Sequence, residues 1–239
     1  MSDPVTVLLL GINNIGWHIY EHLNERKDTH VHGIVTELQQ VPTFLQGGID
    51  YLIMSGFENK LPLEIVDAPE QGCLNLHPGY LPAGRGYYPN VWSIVEDFPA
   101  GATLHLVDEG IDTGEILERR RVEKLPTDTG KTLYRRIEAA ALDLFIETWP
   151  KIIRGEIQPV EQDEAEASWH TKDDFHNLCD LDSLEIDSTT QFVDVLRALT
   201  FPPFQNAYFT DDGKRYFVEL NIREETCITE RTDNFLLDC

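Results

Sequence analysis

The feature that most narrows what this chain can fold into is the order of its apolar patterns between residues 5 and 77. Short apolar runs bounded by glycine or polar residues alternate with a stretch whose apolar residues recur at helical spacing. Val5-Thr-Val-Leu-Leu-Leu10 has strand length, is apolar nearly throughout and stops at Gly11, as a strand buried on both faces of a parallel sheet would. Ile15, Ile19, His22 and Leu23 then recur with helical period through Arg26. The runs His30–Thr36, Asp50–Met54 and Gly72–His77 predict three further strands, the last stopped by Pro78 and Gly79. Strands separated by connections long enough for crossovers pair in parallel, so the expected class is α/β with a mostly parallel sheet.

Downstream, Pro89 opens a short helix, Ala102–Val107 alternates as a strand, and Glu115–Val122 is another strand candidate. Thr129–Ile153 predicts one long amphipathic helix with Leu133, Ile137, Ala140, Leu144 and Trp149 on its inner face. After Gly155 the character changes. Residues 158–188 are acidic and poor in apolar residues, which predicts a loop-rich connector. Phe192, Val195, Leu196 and Leu199 mark a short helix. The runs Phe204–Phe209 and Lys214–Leu220 flank Thr210-Asp-Asp-Gly213, and Asp-Gly between alternating aromatic runs is a hairpin signal. The expected division is a core over residues 1–154 and a C-terminal region over 155–239.

Composition excludes some partners. Forty-two acidic against nineteen basic residues give a formal charge of −23, the opposite of the positive footprint that displaces counterions from nucleic acid. A strongly solvated surface and an acidic face for a basic partner both account for that charge. No apolar run approaches the ~20 residues of a membrane span. The start of the sequence has neither the basic flank nor the apolar run of a secretory signal. Cys73, Cys179, Cys227 and Cys239 are scattered, with no Cys-x-x-Cys pair. A cytoplasmic, reduced protein is expected.

Three groups of residues are candidates for chemistry. Gly11-Ile-Asn-Asn-Ile-Gly16 lies between strand and helix and approximates a dinucleotide-binding fingerprint, with Glu37 near the usual position of a ribose-binding acid. Asn13, however, stands where the middle glycine lets backbone approach a pyrophosphate. The turn is therefore open to a dinucleotide, to another ligand reached by Asn13, or to no ligand at all. His18 with His22, and His30 with His32, have spacings that can hold zinc, yet neither pair has further ligands nearby, and no metal site is expected. Asn75 and His77 form the third group. Two residues apart on one strand, they face the same way at its carboxyl end, where open parallel sheets bind ligands. The loop from Gly79 to Trp92 brings glycines, tyrosines and Arg85 to that end, and Asp108-Glu-Gly-Ile-Asp-Thr-Gly114 returns acids to it.

Asn75-Leu-His77-Pro78, Leu81-Pro82, Gly86, Pro89 and Asp112-Thr113-Gly114, with Ser55-Gly-Phe-Glu-Asn-Lys-Leu61 upstream, resemble the 10-formyltetrahydrofolate-dependent formyltransferases over roughly residues 5–150. The resemblance implies a Rossmann-like core and a catalytic triad of Asn75, His77 and Asp112. Tyr87-Tyr88-Pro89-Asn90-Val91-Trp92 resembles the members that formylate nucleotide-linked amino-dideoxy sugars for cell-surface glycans. A dTDP-4-amino-4,6-dideoxyglucose acceptor is the first choice on that basis. Gly79, where many relatives carry serine, and Asn13-Asn14 depart from the family pattern. Arg197–Phe204 and the aromatic hairpin resemble the short tail of the sugar enzymes, implying a homodimer.

The chemistry so implied has three needs, and the residue types meet them. The Asn75 amide can donate to an oxyanion, worth about 3 kcal/mol. His77 has a proton affinity suited to a general base near neutral pH. Asp112 can support the imidazolium and help relay a proton. The resemblance places 10-formyltetrahydrofolate against Gly56, Phe57, Asn59, Leu61, Leu106, Val107, Asp108 and Glu109. It places the nucleotide-linked sugar against Asn13, Tyr80, Arg85, Tyr87, Tyr88 and Asn90. It calls for no metal, no membrane and no nucleic acid. An NAD-dependent oxidoreductase using the Gly11–Gly16 turn, or a non-catalytic binding protein, are the rival readings.

Overall fold

The computed structural model describes residues 3–225, so Cys227 and Cys239 lie outside the described residues. The expected alternation is present: β1 (Val5–Leu10), α1 (Asn14–Asn24), β2 (Thr29–Val35), α2 (Val41–Leu45), β3 (Tyr51–Met54), α3 (Leu63–Val66) and β4 (Gly72–His77). There follow β5 (Arg85–Gly86), α4 (Pro89–Val95), β6 (Ala100–Leu106), β7 (Ile116–Val122) and α5 (Gly130–Ile152). The main sheet has the order β2-β1-β3-β4-β6-β7. Its first four strands are mutually parallel, and β6 and β7 join antiparallel to complete it. The mostly parallel α/β sheet is therefore as expected.

The two faces of that sheet are unequal. Val7, Leu9, Ile53, Leu74, Leu76 and Leu104 point into the larger core beneath α1 and α5. Leu8, Leu10, Leu52, Met54 and Cys73 point into a smaller one covered by α2 and α3. In α5 the buried stripe is Leu133, Ile137, Ala141, Leu144, Phe145 and Trp149. Ala140, expected inside, lies half-buried at the stripe's edge, because Ala141 is the residue four beyond Ile137. A reciprocal cap between Thr129 and Thr132 starts the helix. Trp149 packs edge-on against Tyr51, and its indole N–H donates to Thr29 Oγ1 at 3.0 Å, so the buried donor is satisfied.

The segment expected to be a loop-rich connector is more ordered than its composition indicates. It contains β8 (Trp169–His170) and α6 (Lys172–Cys179), with short 3-10 turns on either side. α6 buries only Phe175, Leu178 and Cys179, a stripe too narrow to stand out among acidic neighbours, and β8 exists only because it pairs with β5. α7 (Thr189–Leu199) buries Val195, Leu196, Ala198 and Leu199, whereas Phe192 is largely outside. The hairpin forms from β9 (Tyr208–Asp211) and β10 (Lys214–Phe217). Asp212 and Gly213 have φ of 46° and 71°, both positive as a type I′ turn requires. No described helix is long and apolar enough to cross a membrane.

Candidate active site

Side-chain alternation along β4 sends Leu74 and Leu76 into the larger core and leaves Asn75 and His77 on the face of the smaller one. That smaller core stops at Met54 and Cys73, so the face beyond it is open. β6 runs antiparallel beside β4 and sets His105 opposite Asn75, and Thr103 opposite His77. The loop between β6 and β7 then folds back over the face and delivers Asp112, whose φ is 56°. Four side chains thus meet: Asn75, His77, Asp112 and His105. The last was not singled out from sequence, since only cross-strand register reveals it.

The contacts order the cluster. Asn75 Nδ2 lies 3.2 Å from both Asp112 Oδ1 and His105 Nε2, so its two N–H groups have one acceptor each. His105 Nδ1 is 2.7 Å from the Leu106 carbonyl, which can only accept, so the neutral ring carries its hydrogen there. The same argument applies to His77, whose Nε2 donates to the Gly84 carbonyl at 2.9 Å. The free lone pair of neutral His77 is therefore on Nδ1, 3.5 Å from Asp112 Oδ2. A proton taken up at Nδ1 arrives beside a carboxylate.

Burial pushes the His77 imidazole below its ordinary value, the Asp112 charge opposes that, and His105 adds to the lowering. For Asp112, burial acts upward, but His77, His105 and the Gly86 N–H outweigh it and hold the carboxyl well below the usual range. A neutral base beside an ionised acid is the resulting state near neutrality.

The loop after β4 is shaped around these groups. A Cβ on Gly79 would stand 2.4 Å from His77 Nε2 and 3.0 Å from Pro89 Cβ, so a side chain there requires the imidazole or the loop to shift. Thr103 holds Gly79 in place by donating to its carbonyl at 2.7 Å. Gly86 has φ of 84°, and its N–H donates to Asp112 Oδ2 at 2.9 Å.

The cluster lies at one side of a cleft of about 240 Å³. Of the residues expected around the formyl donor, Gly56, Phe57, Asn59, Leu61, Val107 and Asp108 line it, whereas Leu106 and Glu109 do not. Of those expected around the sugar, only Tyr87 does. Asn13 is instead an N-cap: its Oδ1 accepts from Gly16 N at 2.8 Å and from Ser55 Oγ at 3.1 Å. Arg85 is buried and bound to Gln162 and Glu164. Asn90 is buried and donates to the Gly130 carbonyl. Tyr80 lies under the Arg119 guanidinium, and Tyr88 packs on Phe175 at 4.1 Å. In each case the fold supplies a partner that the sequence does not show. Glu58 and Lys60, within the same 55–61 segment, line the cleft as well. Among the described residues, no group of histidine, cysteine and acidic side chains could hold a metal.

Comparison with known proteins settles the family. Residues 25–149 match the formyl transferase family, and residues 174–224 match the N-formyltransferase dimerization C-terminal domain. The chain belongs to the formyltransferase family. This formyltransferase is 30% identical over 177 residues to dTDP-4-amino-4,6-dideoxyglucose formyltransferase of Mycobacterium tuberculosis, 74% of either chain. It is 32% identical to a formyltransferase from Anoxybacillus kamchatkensis, solved with UDP-4,6-dideoxy-4-formamido-L-AltNAc and tetrahydrofolate. That likeness covers 80% of this chain and 97% of the other, with a TM-score of 0.67. In fold it also matches a 4-N formyltransferase from Francisella tularensis, with a TM-score of 0.86 at 24% identity over 94% of this chain and 100% of that one.

Proposed function

We propose that this formyltransferase moves a formyl group from 10-formyltetrahydrofolate to the amine of a nucleotide-linked amino-dideoxy sugar. The observation that carries the proposal is the buried junction of Asn75, His77, His105 and Asp112 beside the cleft. Met54, Phe57, Leu61 and Val107 supply apolar walls, and Asn59 and Asp108 a few polar groups, a lining that suits a flat heteroaromatic ring. The folate, once bound, supplies the formyl group.

The residues then divide the work. His77 Nδ1 takes the proton that the attacking amine must lose and returns it to the folate nitrogen as the tetrahedral adduct collapses, so the C–N bond to the donor breaks and tetrahydrofolate leaves. Asp112, held ionised, stabilises the imidazolium formed 3.5 Å away. Asn75 donates to the developing oxyanion through the amide Nδ2 that rests 3.2 Å from Asp112 Oδ1. His105 accepts from the other N–H and so sets the amide plane.

The names of the relatives support a sugar acceptor, and a dTDP-linked 4-amino-4,6-dideoxyglucose is the first choice. A formal charge of −23 argues against a tRNA acceptor. The dinucleotide alternative loses its basis at Asn13, whose amide fills the space above Gly56: a Cβ on Gly56 would lie 2.6 Å from Asn13 Nδ2. We further propose a homodimer through the hairpin, where Phe209 and Tyr216 stack on one exposed face and the exposed Phe217 meets Tyr208 on the other.

The test is a panel of dTDP-, GDP- and UDP-linked amino sugars with 10-formyltetrahydrofolate, read by mass. A gain of one formyl group on a dTDP-4-amino sugar is expected. Formylation of methionyl-tRNA at a rate matching the best sugar would overturn the substrate class. Light scattering should give about twice the 27.3 kDa chain mass, and a monomer at micromolar concentration removes the dimer.

A further inference from the structure

Residues 150–173 fall between the two family matches, yet part of that segment is tied to the catalytic loops. Val160 exchanges two backbone hydrogen bonds with Ile116, where the Asp112 loop enters β7. Ser168 accepts from Gly84 N through Oγ and from Arg85 N through its carbonyl, and His170 O accepts from Tyr87 N. The strap therefore holds the loop whose Gly84 carbonyl orients His77 and whose Gly86 N–H binds Asp112.

Gln162 joins the two loops directly. Its Nε2 donates to the Asp112 carbonyl at 2.9 Å and to the Gly114 carbonyl at 2.7 Å. Its Oε1 accepts from Arg85 Nε at 3.2 Å and Nη2 at 2.9 Å. Arg85, in turn, is held by Glu164 through a two-pronged pair at 2.7 and 3.0 Å. Both amide hydrogens and both oxygen lone pairs of Gln162 are used, and neither a flipped amide nor a carboxylate could make the same set. The grip falls on Asp112, a non-glycine residue at φ 56°, where the backbone needs outside support to hold its conformation.

We propose that Gln162 is a positioning residue for the formyl transfer, clamping the backbone of Asp112 so that its carboxylate stays against His77 and Asn75. Arg85 serves the clamp and not the substrate. The proposal rests on the catalytic roles given above for His77 and Asp112. It explains why an arginine so near the cleft is turned away from it.

Gln162→Met removes the polar contacts at similar length. With 10-formyltetrahydrofolate and dTDP-4-amino-4,6-dideoxyglucose as probes, kcat should fall about tenfold to a hundredfold while KM for the donor moves less. His77 is faced by Asp112 from the β6–β7 loop, by His105 from β6 and by the Gly84 carbonyl. Loosening Asp112 withdraws the one charge that favours the imidazolium, so the acid limb of kcat/KM should move to lower pH. An NMR titration of His77 should move the same way, and it needs no substrate. A folded Gln162→Met enzyme with kcat within twofold of wild type overturns the proposal, as does a lower kcat with an unmoved His77 titration.

Should Gln162→Met not fold, Gln162→Glu keeps the Arg85 contacts and turns an acceptor toward two carbonyls. Its kcat should fall at least as far, and unfolding of both variants would reduce the clamp to a requirement of the fold and overturn the proposal. If His77→Asn retains turnover, the catalytic reading itself fails. If His77→Asn is inactive while Gln162→Met is not, the clamp alone fails.

Discussion

Two glycine-bearing turns leave the carboxyl ends of strands in the same sheet, one after β1 and one after β4. Each has a polar residue where a ligand-binding group would be looked for. After β1, Asn13 is used up within the turn, capping α1 and accepting from Ser55. After β4, Gly79 leaves room for His77, Gly84 orients it, and Gly86 holds its acidic partner, so the polar groups are aimed at one another beside an open cleft. A polar side chain at a strand's end becomes available for chemistry only when the surrounding backbone fixes its direction without exhausting its bonding capacity. Both turns carry glycines, but only the second uses them to make space around an ionisable ring.

The sharpest way to break that contrast is to remove the central group from each turn. His77→Asn should lower turnover by about 10² to 10⁴, the range for a general base, with the melting temperature held. Asn13→Ala should leave turnover within about threefold. Comparable losses in the two variants would show that the first turn also serves the reaction. Next in size, Gly79→Ala should cost about 10²-fold in kcat, since a displacement of roughly 1 Å is enough for such a loss. Turnover matching wild type would mean that the imidazole tolerates the added methyl.

The pH dependence should separate the turns as well. His77 must be neutral to act, and burial lowers its pKa, so kcat/KM should reach half its plateau below pH 6.5. A half-point above 6.5 would mean that Asp112 outweighs burial. Stability has the matching sign. The unfolded chain takes up a proton near pH 6.5 that the buried ring refuses, so stability falls as pH drops through that value. Asp112, with a lowered folded pKa, contributes stability above pH 3.8 that is lost as pH falls towards that folded value. The smallest effect belongs to the first turn's cap. Asn13→Ala should remove about 1 kcal/mol of stability and lower the melting temperature by roughly 2–4 °C, measurable by calorimetry.

Much of the fold was legible because periodicity is a local property. The apolar runs of β1, β3 and β4 can be read without knowing their neighbours, and the Asp212-Gly213 turn has the geometry its residue types require. α6 and β8 were not legible, the first for want of a wide apolar stripe and the second because two residues form a strand only against a partner. The cleft divides similarly. Six of the eight residues expected around the formyl donor line it, since they sit on short segments next to identifiable strands. Of the six expected around the sugar Tyr87 lines it, and Arg85, Asn90 and Tyr80 have partners elsewhere in the fold, contacts that depend on residues distant in sequence.

What the sequence by itself determined is the α/β class, the four parallel strands of the sheet and the shared direction of Asn75 and His77, all consequences of backbone periods of two and 3.6 residues. Tertiary structure alone decided which polar groups were left over. His105 reaches Asn75 through a register between strands thirty residues apart in sequence, and Arg85 is taken by Gln162 across seventy-seven. A hydrogen bond satisfies a donor regardless of how far along the chain the acceptor lies. For that reason the spare capacity of a side chain, unlike its helical or strand period, is a property of the folded molecule as a whole.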